Sequence, residues 1–270
     1  MPAQKRVTLC IAATCEHKGK PCIVFCSDRK IVQGDVSSET GDKLSWFIPR
    51  WPILYAGTIS RAHELIDVYR TELKRAKFKK STIFDEFKRP PWIYKDKLLE
   101  DRSRKAAGLA YKEFLAQKSA FTDFDKLLAF ITDSDIECEL ILGGFVDEES
   151  YLFVVDGEGG VSYEDDFAAI GSGADLATAV LRFRKQYSVR NLAETIYRLY
   201  EAKKFAQMEP NVGRRTFIDV LEPRGKDNNA KVRIRSLSKG GFQMLDSYYK
   251  QYGYQPIGKI QIDKKFLVRY

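Results

Sequence analysis

From Val7 to Val32 the chain reads VTLCIAATCEHKGKPCIVFCSDRKIV, two apolar arms about a polar turn. The arms, residues 7–13 and 23–27, are dense in β-branched and apolar side chains, as buried strands are. Lys18-Gly19 between them supplies the positive-φ residue of a tight hairpin. A polar stretch, GDVSSETGDK, leads into LSWFIPRWPILYAG, where two prolines predict short strands joined by a turn. Gly57 closes that apolar run and Ser60 is the expected helix cap. Ala62, Leu65, Ile66, Tyr69 and Leu73 then follow at helical spacing and form one core-facing stripe.

Residues 74–125 break the rhythm. KRPPW predicts a helix break at Pro90 and Pro91, with a charged helix over 95–117. The block reads as an inserted or elaborated helical segment, because strands resume straight after it. CELILGGF, SYLFVVD and VSYEDDFAAIG are three short strands of a meander, with VDEES and GEGG as turns. Two helices follow, one from Ser172 or Gly173 to Arg184 and one over 189–207, the second with Leu192, Ile196, Leu199 and Ala202 on one face. RRTFIDVLEP and AKVRIRSLS return as strands. Strands, helices, strands, helices, strands is the order of an α+β protein. Two antiparallel sheets packed together and flanked by helices, a four-layer α-β-β-α sandwich, satisfy it. With no repeat and no linker, residues 1–270 read as a single domain.

Composition narrows the function. With 270 residues and 44% apolar content, the chain can bury a sizeable core. No apolar run is long enough to span a membrane, and MPAQKRVTL lacks the apolar centre of a signal peptide, so a cytoplasmic protein is expected. The five cysteines form no C-x-x-C pair; they read as reduced core residues, with no metal site and no cofactor implied. The formal charge of +8 is concentrated in KRAKFKK, a tract that reads as a solvated face. Neither aromatic residues interleaved on a basic sheet nor a groove-reading helix accompanies it, so nucleic acid is not the expected partner.

Chemistry gathers at the open end of the first hairpin. Thr8 stands ten residues before Lys18 and Asp28 ten after it, so a turn at Lys18-Gly19 sets them opposite or within one position. Lys43, at the head of the next apolar segment, reaches the same end if a third strand lies alongside. A buried Asp calls for such a cation.

These segments carry a resemblance. TLCIAA, IVFCSDRKI, SSETGDKLSWF and PILYAGT before a helix resemble, in that order, the N-terminal half of a proteasome β-type subunit. FAAIGSGADLATAVL is similar to that family's Gly-Ser-Gly turn and helix, and NVGRRTFIDVL after the late helix continues the likeness. It covers residues 7–70 and 162–222. The resemblance implies the N-terminal-nucleophile (Ntn) hydrolase sandwich and a threonine-type peptidase. It implies Thr8 as nucleophile, with its own α-amine as base, once a leader, MPAQKRV, is cut at Val7–Thr8. Asp28 and Lys43 would orient and tune Thr8, the Gly57 N–H would belong to an oxyanion hole, and Ser172 would position the amine. A homo-oligomeric ring or related assembly acting on peptides or unfolded polypeptides is implied as well, with PPWIYKDKLL and SYYKQYGYQP as contact surfaces.

The residues alone leave simpler roles open. Thr8 can be a plain strand residue, Asp28 and Lys43 a structural ion pair, Gly57 a tight turn and Gly171-Ser172-Gly173 a helix cap. Val7 stands where self-processing members of the family carry Gly. Where the family has an acid and a serine near the end, this chain has QMEPNVGRR, with Glu209 in the acid's place and no serine. A catalytically inactive proteasome-like subunit or scaffold, or a non-peptidase amide hydrolase on the same fold, are therefore the alternatives. An offset of two residues would put Arg6 at the nucleophile position.

Overall fold

The computed structural model describes residues 8–33, 36–39, 41–133, 135–223 and 232–253. The chain opens with β1 (Cys10–His17) and β2 (Lys20–Asp28), then the short β3 (Ile31–Gln33) and β4 (Val36–Ser38). β5 (Leu44–Ile48) and β6 (Trp51–Gly57) lead into α1 (Ile59–Leu73), α2 (Ile83–Ala107), α3 (Tyr111–Ala116) and α4 (Phe124–Ile131). β7 (Cys138–Val146), β8 (Glu149–Val155), β9 (Val161–Glu164) and β10 (Phe167–Ile170) follow. α5 (Ala174–Phe183), α6 (Leu192–Ala206), β11 (Thr216–Pro223), β12 (Val232–Ser236) and α7 (Lys239–Tyr252) complete it.

Two five-stranded antiparallel sheets result, ordered β10-β1-β2-β11-β12 and β5-β6-β7-β8-β9. In the first, β1 and β2 pair from Cys10↔Ser27 to His17↔Lys20. Lys18 and Gly19 both take positive φ, 53° and 71°, the mirror-image turn whose twist suits a two-residue hairpin. Alternation along the strands sends Cys10, Ala12, Ile23 and Phe25 into the space between the sheets. There they meet Leu54, Ala56, Ile141 and Leu152 of the second sheet. α5 and α6 cover the outer face of the first sheet, and α1 and α2 that of the second. This is the expected four-layer α-β-β-α sandwich.

The whole predicted stripe of α1 is buried: Ala62, Leu65, Ile66, Tyr69 and Leu73. Ser60 is not its cap; α1 starts one residue earlier, behind Thr58, whose side chain makes no capping bond. The expected break at Pro90 and Pro91 does not occur either. Both prolines lie buried inside α2, which runs 25 residues. A proline at 91 leaves the Phe87 carbonyl without its helical donor. The buried Tyr69 hydroxyl donates to that carbonyl at 2.8 Å, so the ladder defect is repaired from α1. The helix expected over 95–117 is instead cut at Gly108, a left-handed C-cap with φ 72°, before α3. The 74–125 block is thus largely the second helix of the outer layer. Phe114, Phe124 and Ile131 form a small core of their own beside it.

VSYEDDFAAIG is two strands rather than one. β9 closes the second sheet, and β10 is the edge of the first. The chain changes sheets at Asp165-Asp166, whose carbonyls both accept from the Thr14 hydroxyl, at 2.8 and 3.1 Å. The chain divides into two compact units, Met1–Leu237 and Ser238–Tyr270. In the second, α7 is a helix that had not been expected; Ser238 caps it by accepting from the Gly241 N–H at 3.2 Å. No described helix is long and apolar enough to cross a membrane.

Candidate active site

Thr8 lies two residues ahead of β1, and Asp28 is the last residue of β2. The hairpin register puts Asp28 opposite Leu9, one position from Thr8, and the Asp28 N–H donates to the Leu9 carbonyl at 3.0 Å. From there the Thr8 hydroxyl donates to Asp28 Oδ1 at 2.8 Å. The Leu9 N–H reaches the same oxygen at 3.2 Å, and the Gly213 N–H donates to Oδ2 at 2.6 Å. Asp28 is wholly buried, so these donors, rather than water, satisfy its oxygens.

Lys43 arrives from a different direction than expected. It is not on a strand beside β1 and β2; it precedes β5 in the facing sheet, its carbonyl accepting from the Tyr55 N–H at 3.3 Å. Its ammonium crosses the gap between sheets, donates to the Thr8 hydroxyl oxygen and pairs with Asp28 Oδ1. The Thr8 oxygen thus sits between a carboxylate that accepts its proton and an ammonium that donates to it. All three side chains are buried, Thr8 at 1% exposure.

Ser172 lies in the turn between β10 and α5. Its hydroxyl donates to the Thr8 carbonyl at 3.2 Å, and the Thr8 N–H points at the same oxygen from 3.4 Å. The turn needs Gly171, which has φ 91°; a Cβ there would lie 2.5 Å from the Thr8 carbonyl oxygen. Glu139 on β7 ties the turn down by accepting from the Gly171 N–H at 3.0 Å. The structure therefore brings Thr8, Asp28, Lys43 and Ser172 together. Gly57 ends β6 with φ 94°, packed against the Glu137 carbonyl of the neighbouring chain segment, and the next N–H, of Thr58, donates to that carbonyl at 2.8 Å. Glu209 turns to its own loop, where Asn211 donates to its carboxylate at 2.9 Å.

Two more groups flank the triad. The Cys10 thiol is buried and donates to the Tyr55 carbonyl at 3.3 Å; burial pushes its pKa far up, so it stays a neutral thiol and does not compete as a nucleophile. Lys203 of α6 is wholly buried as well. Burial brings its amine down to about 8, against opposing pulls from Cys26 and Asp28. Sequence reasoning missed the Gly213 and Leu9 N–H donors, Glu139 and Lys203. Only the NVGRR segment, which contains Gly213, pointed near one of them. Among the described residues no cluster of His, Cys, Asp or Glu is placed to hold a metal ion.

Two five-stranded antiparallel sheets flanked by helices have the architecture of an Ntn-type sandwich, and the buried Thr8, Asp28 and Lys43 lie at the mouth of its first hairpin. In comparison with known families, the model described as Proteasome subunit matches residues 121–206. That stretch contains Ser172 and Lys203 but ends well clear of Thr8, Asp28, Lys43 and Gly57. The match spans under half of the chain; with the fold, it supports membership of the proteasome-like superfamily. No curated protein matches it.

Proposed function

We propose that this proteasome-like protein is a threonine-type peptidase whose nucleophile is Thr8, exposed as the mature N-terminus by removal of residues 1–7. The leader lies outside the described residues, as does Arg6. One observation carries the reading: the Thr8 hydroxyl bridges the carboxylate of Asp28 and the ammonium of Lys43. After cleavage the Thr8 nitrogen becomes a free amine, with an ordinary pKa of about 8 that suits a general base near neutral pH. Thr8 Oγ1 attacks the substrate carbonyl and its proton passes to that amine. The Lys43 ammonium stabilises the oxygen as it loses the proton, and Asp28 accepts from Lys43 and holds it in place. The Gly57 N–H receives the developing oxyanion. Collapse breaks the C–N bond, the leaving amine takes the proton, and water then hydrolyses the ester on Thr8. The 3.4 Å approach of Ser172 to the Thr8 nitrogen supports a role in holding the amine.

Substrates are peptides or unfolded polypeptides, and the chain works as a homo-oligomer in the cytoplasm, a ring or related assembly that limits access. PPWIYKDKLL is a poorer contact surface than its composition suggests, since Pro90, Pro91 and Tyr94 are buried and Trp92 is the large exposed apolar residue. SYYKQYGYQP lies partly in α7 and partly outside the described residues.

The 1% exposure of Thr8 favours a second reading, in which the uncut chain is an inactive subunit of the same kind. Hydrolysis of fluorogenic peptides by the wild type and by Thr8→Ala separates the two. The peptidase reading expects turnover that Thr8→Ala abolishes while the variant stays folded; turnover that survives in Thr8→Ala removes it.

A further inference from the structure

The loop between α6 and β11 is fastened more heavily than a connection needs. Lys203 donates to the Arg214 carbonyl at 2.7 Å. Gln207 donates to the Gly213 and Arg214 carbonyls at 3.2 and 2.9 Å. From the other side, the two oxygens of Glu39 accept from the Arg214 and Arg215 N–H groups at 2.8 and 2.9 Å. What the clamped loop presents inward is the Gly213 N–H, 2.6 Å from Asp28 Oδ2. The approach leaves no room for a side chain: a Cβ on Gly213 would lie 2.7 Å from the Lys30 Cβ and 2.9 Å from Asp28 Oδ2. Burying the full length of a lysine to hold one loop carbonyl is costly unless the position of that loop matters.

We infer that Lys203 is a positioning residue for the Thr8 site: by fixing the Arg214 carbonyl it seats the Gly213 N–H on Asp28, and so sets the carboxylate that holds Thr8 and Lys43. The catalytic consequence rests on the peptidase reading above; the placement of Gly213 does not. The charged and titratable groups facing the Lys203 amine are Cys26 and Asp28 on β2 and Glu39 beyond β4, with Lys204 on its own helix. Burial opposes its charged form and outweighs the pull of Cys26, Asp28 and Glu39, which brings the amine down to about 8. Loss of that proton weakens the donor to Arg214 and removes a positive charge from behind Asp28. The Gly213 N–H should therefore sense the titration of a side chain it does not touch.

The test follows the Gly213 amide by NMR in the full chain labelled with nitrogen-15 glycine, from pH 6.5 to 9.5, in wild type, Lys203→Met and Glu39→Gln. The wild-type resonance should titrate with a midpoint near 8. In Lys203→Met the inflection should vanish and amide exchange at Gly213 should speed up about tenfold, with the unfolding midpoint unchanged or higher, a combination that a purely structural lysine would not produce. Glu39→Gln should speed exchange while keeping the inflection. In the mature peptidase, kcat of Lys203→Met should fall about tenfold at constant KM. A wild-type Gly213 amide with no inflection, or a folded Lys203→Met with unchanged shift and exchange, overturns the inference. An inactive wild type that still shows the Gly213 titration would sink the peptidase reading and leave the placement standing.

Discussion

Asp28→Asn and Lys43→Met remove opposite ends of one buried ion pair, and their costs should differ. Asparagine in place of Asp28 would keep the shape but not the charge. The Lys43 ammonium, 4% exposed, would then lose its carboxylate and keep the Thr8 oxygen. The new side-chain amide would also turn donors toward groups that already donate: the Gly213 N–H on one side, or Lys43 and Thr8 on the other. Stranding a buried charge costs about 3–5 kcal/mol. Lys43→Met strands less. Asp28 would still accept from the Thr8 hydroxyl and from the Leu9 and Gly213 N–H groups, three donors that keep its buried oxygens satisfied. Its cost should be that of a lost charged hydrogen bond, about 1.5–3 kcal/mol. Urea unfolding at pH 7, compared at constant slope, measures both. If Lys43→Met proves as destabilising as Asp28→Asn, the three donors around Asp28 do not make up for the lost cation and this account of the site is wrong.

Tyr69→Phe should cost about 1–3 kcal/mol although it removes one oxygen, because it orphans the buried Phe87 carbonyl that Pro91 cannot serve; a cost near zero would show that the helix repairs itself. Lys203 gives a pH signature of known sign. Its amine falls from 10.5 to about 8 on folding, so between those values the unfolded chain holds the extra proton and stability rises with pH. The rise, up to about 3 kcal/mol, should appear as the difference between wild type and Lys203→Met, in which tyrosine and cysteine titrations cancel. Identical profiles in the two proteins would contradict the burial of a titrating amine there.

What could be read from the sequence was what local rules decide. The hairpin turn and the apolar stripe of α1 follow from glycine placement and periodicity, and the hairpin register alone brought Thr8 beside Asp28. What could not be read depends on partners distant in sequence. α2 survives Pro91 because of a hydroxyl on α1. The chain between β9 and β10 changes sheets through Thr14, on the first strand. Lys43 reaches the site across the gap between sheets, a direction no strand count reveals. Gly213 is 185 residues from the carboxylate it serves, and Lys203 lies on a helix whose buried surface includes Thr195, Glu201 and Lys203 besides its apolar residues. α7 was hidden by the glycines at 240 and 241 in its first turn, which lower helix propensity just where the cap at Ser238 would announce it.

The central claim is that Thr8 becomes the first residue of the working protein. The intact mass of the purified, folded assembly tests it most directly. A mass lower by residues 1–7, with a terminal sequence beginning TLCIAA, is the result predicted. A folded assembly that hydrolyses peptides while every chain still carries the residues ahead of Thr8 would contradict it.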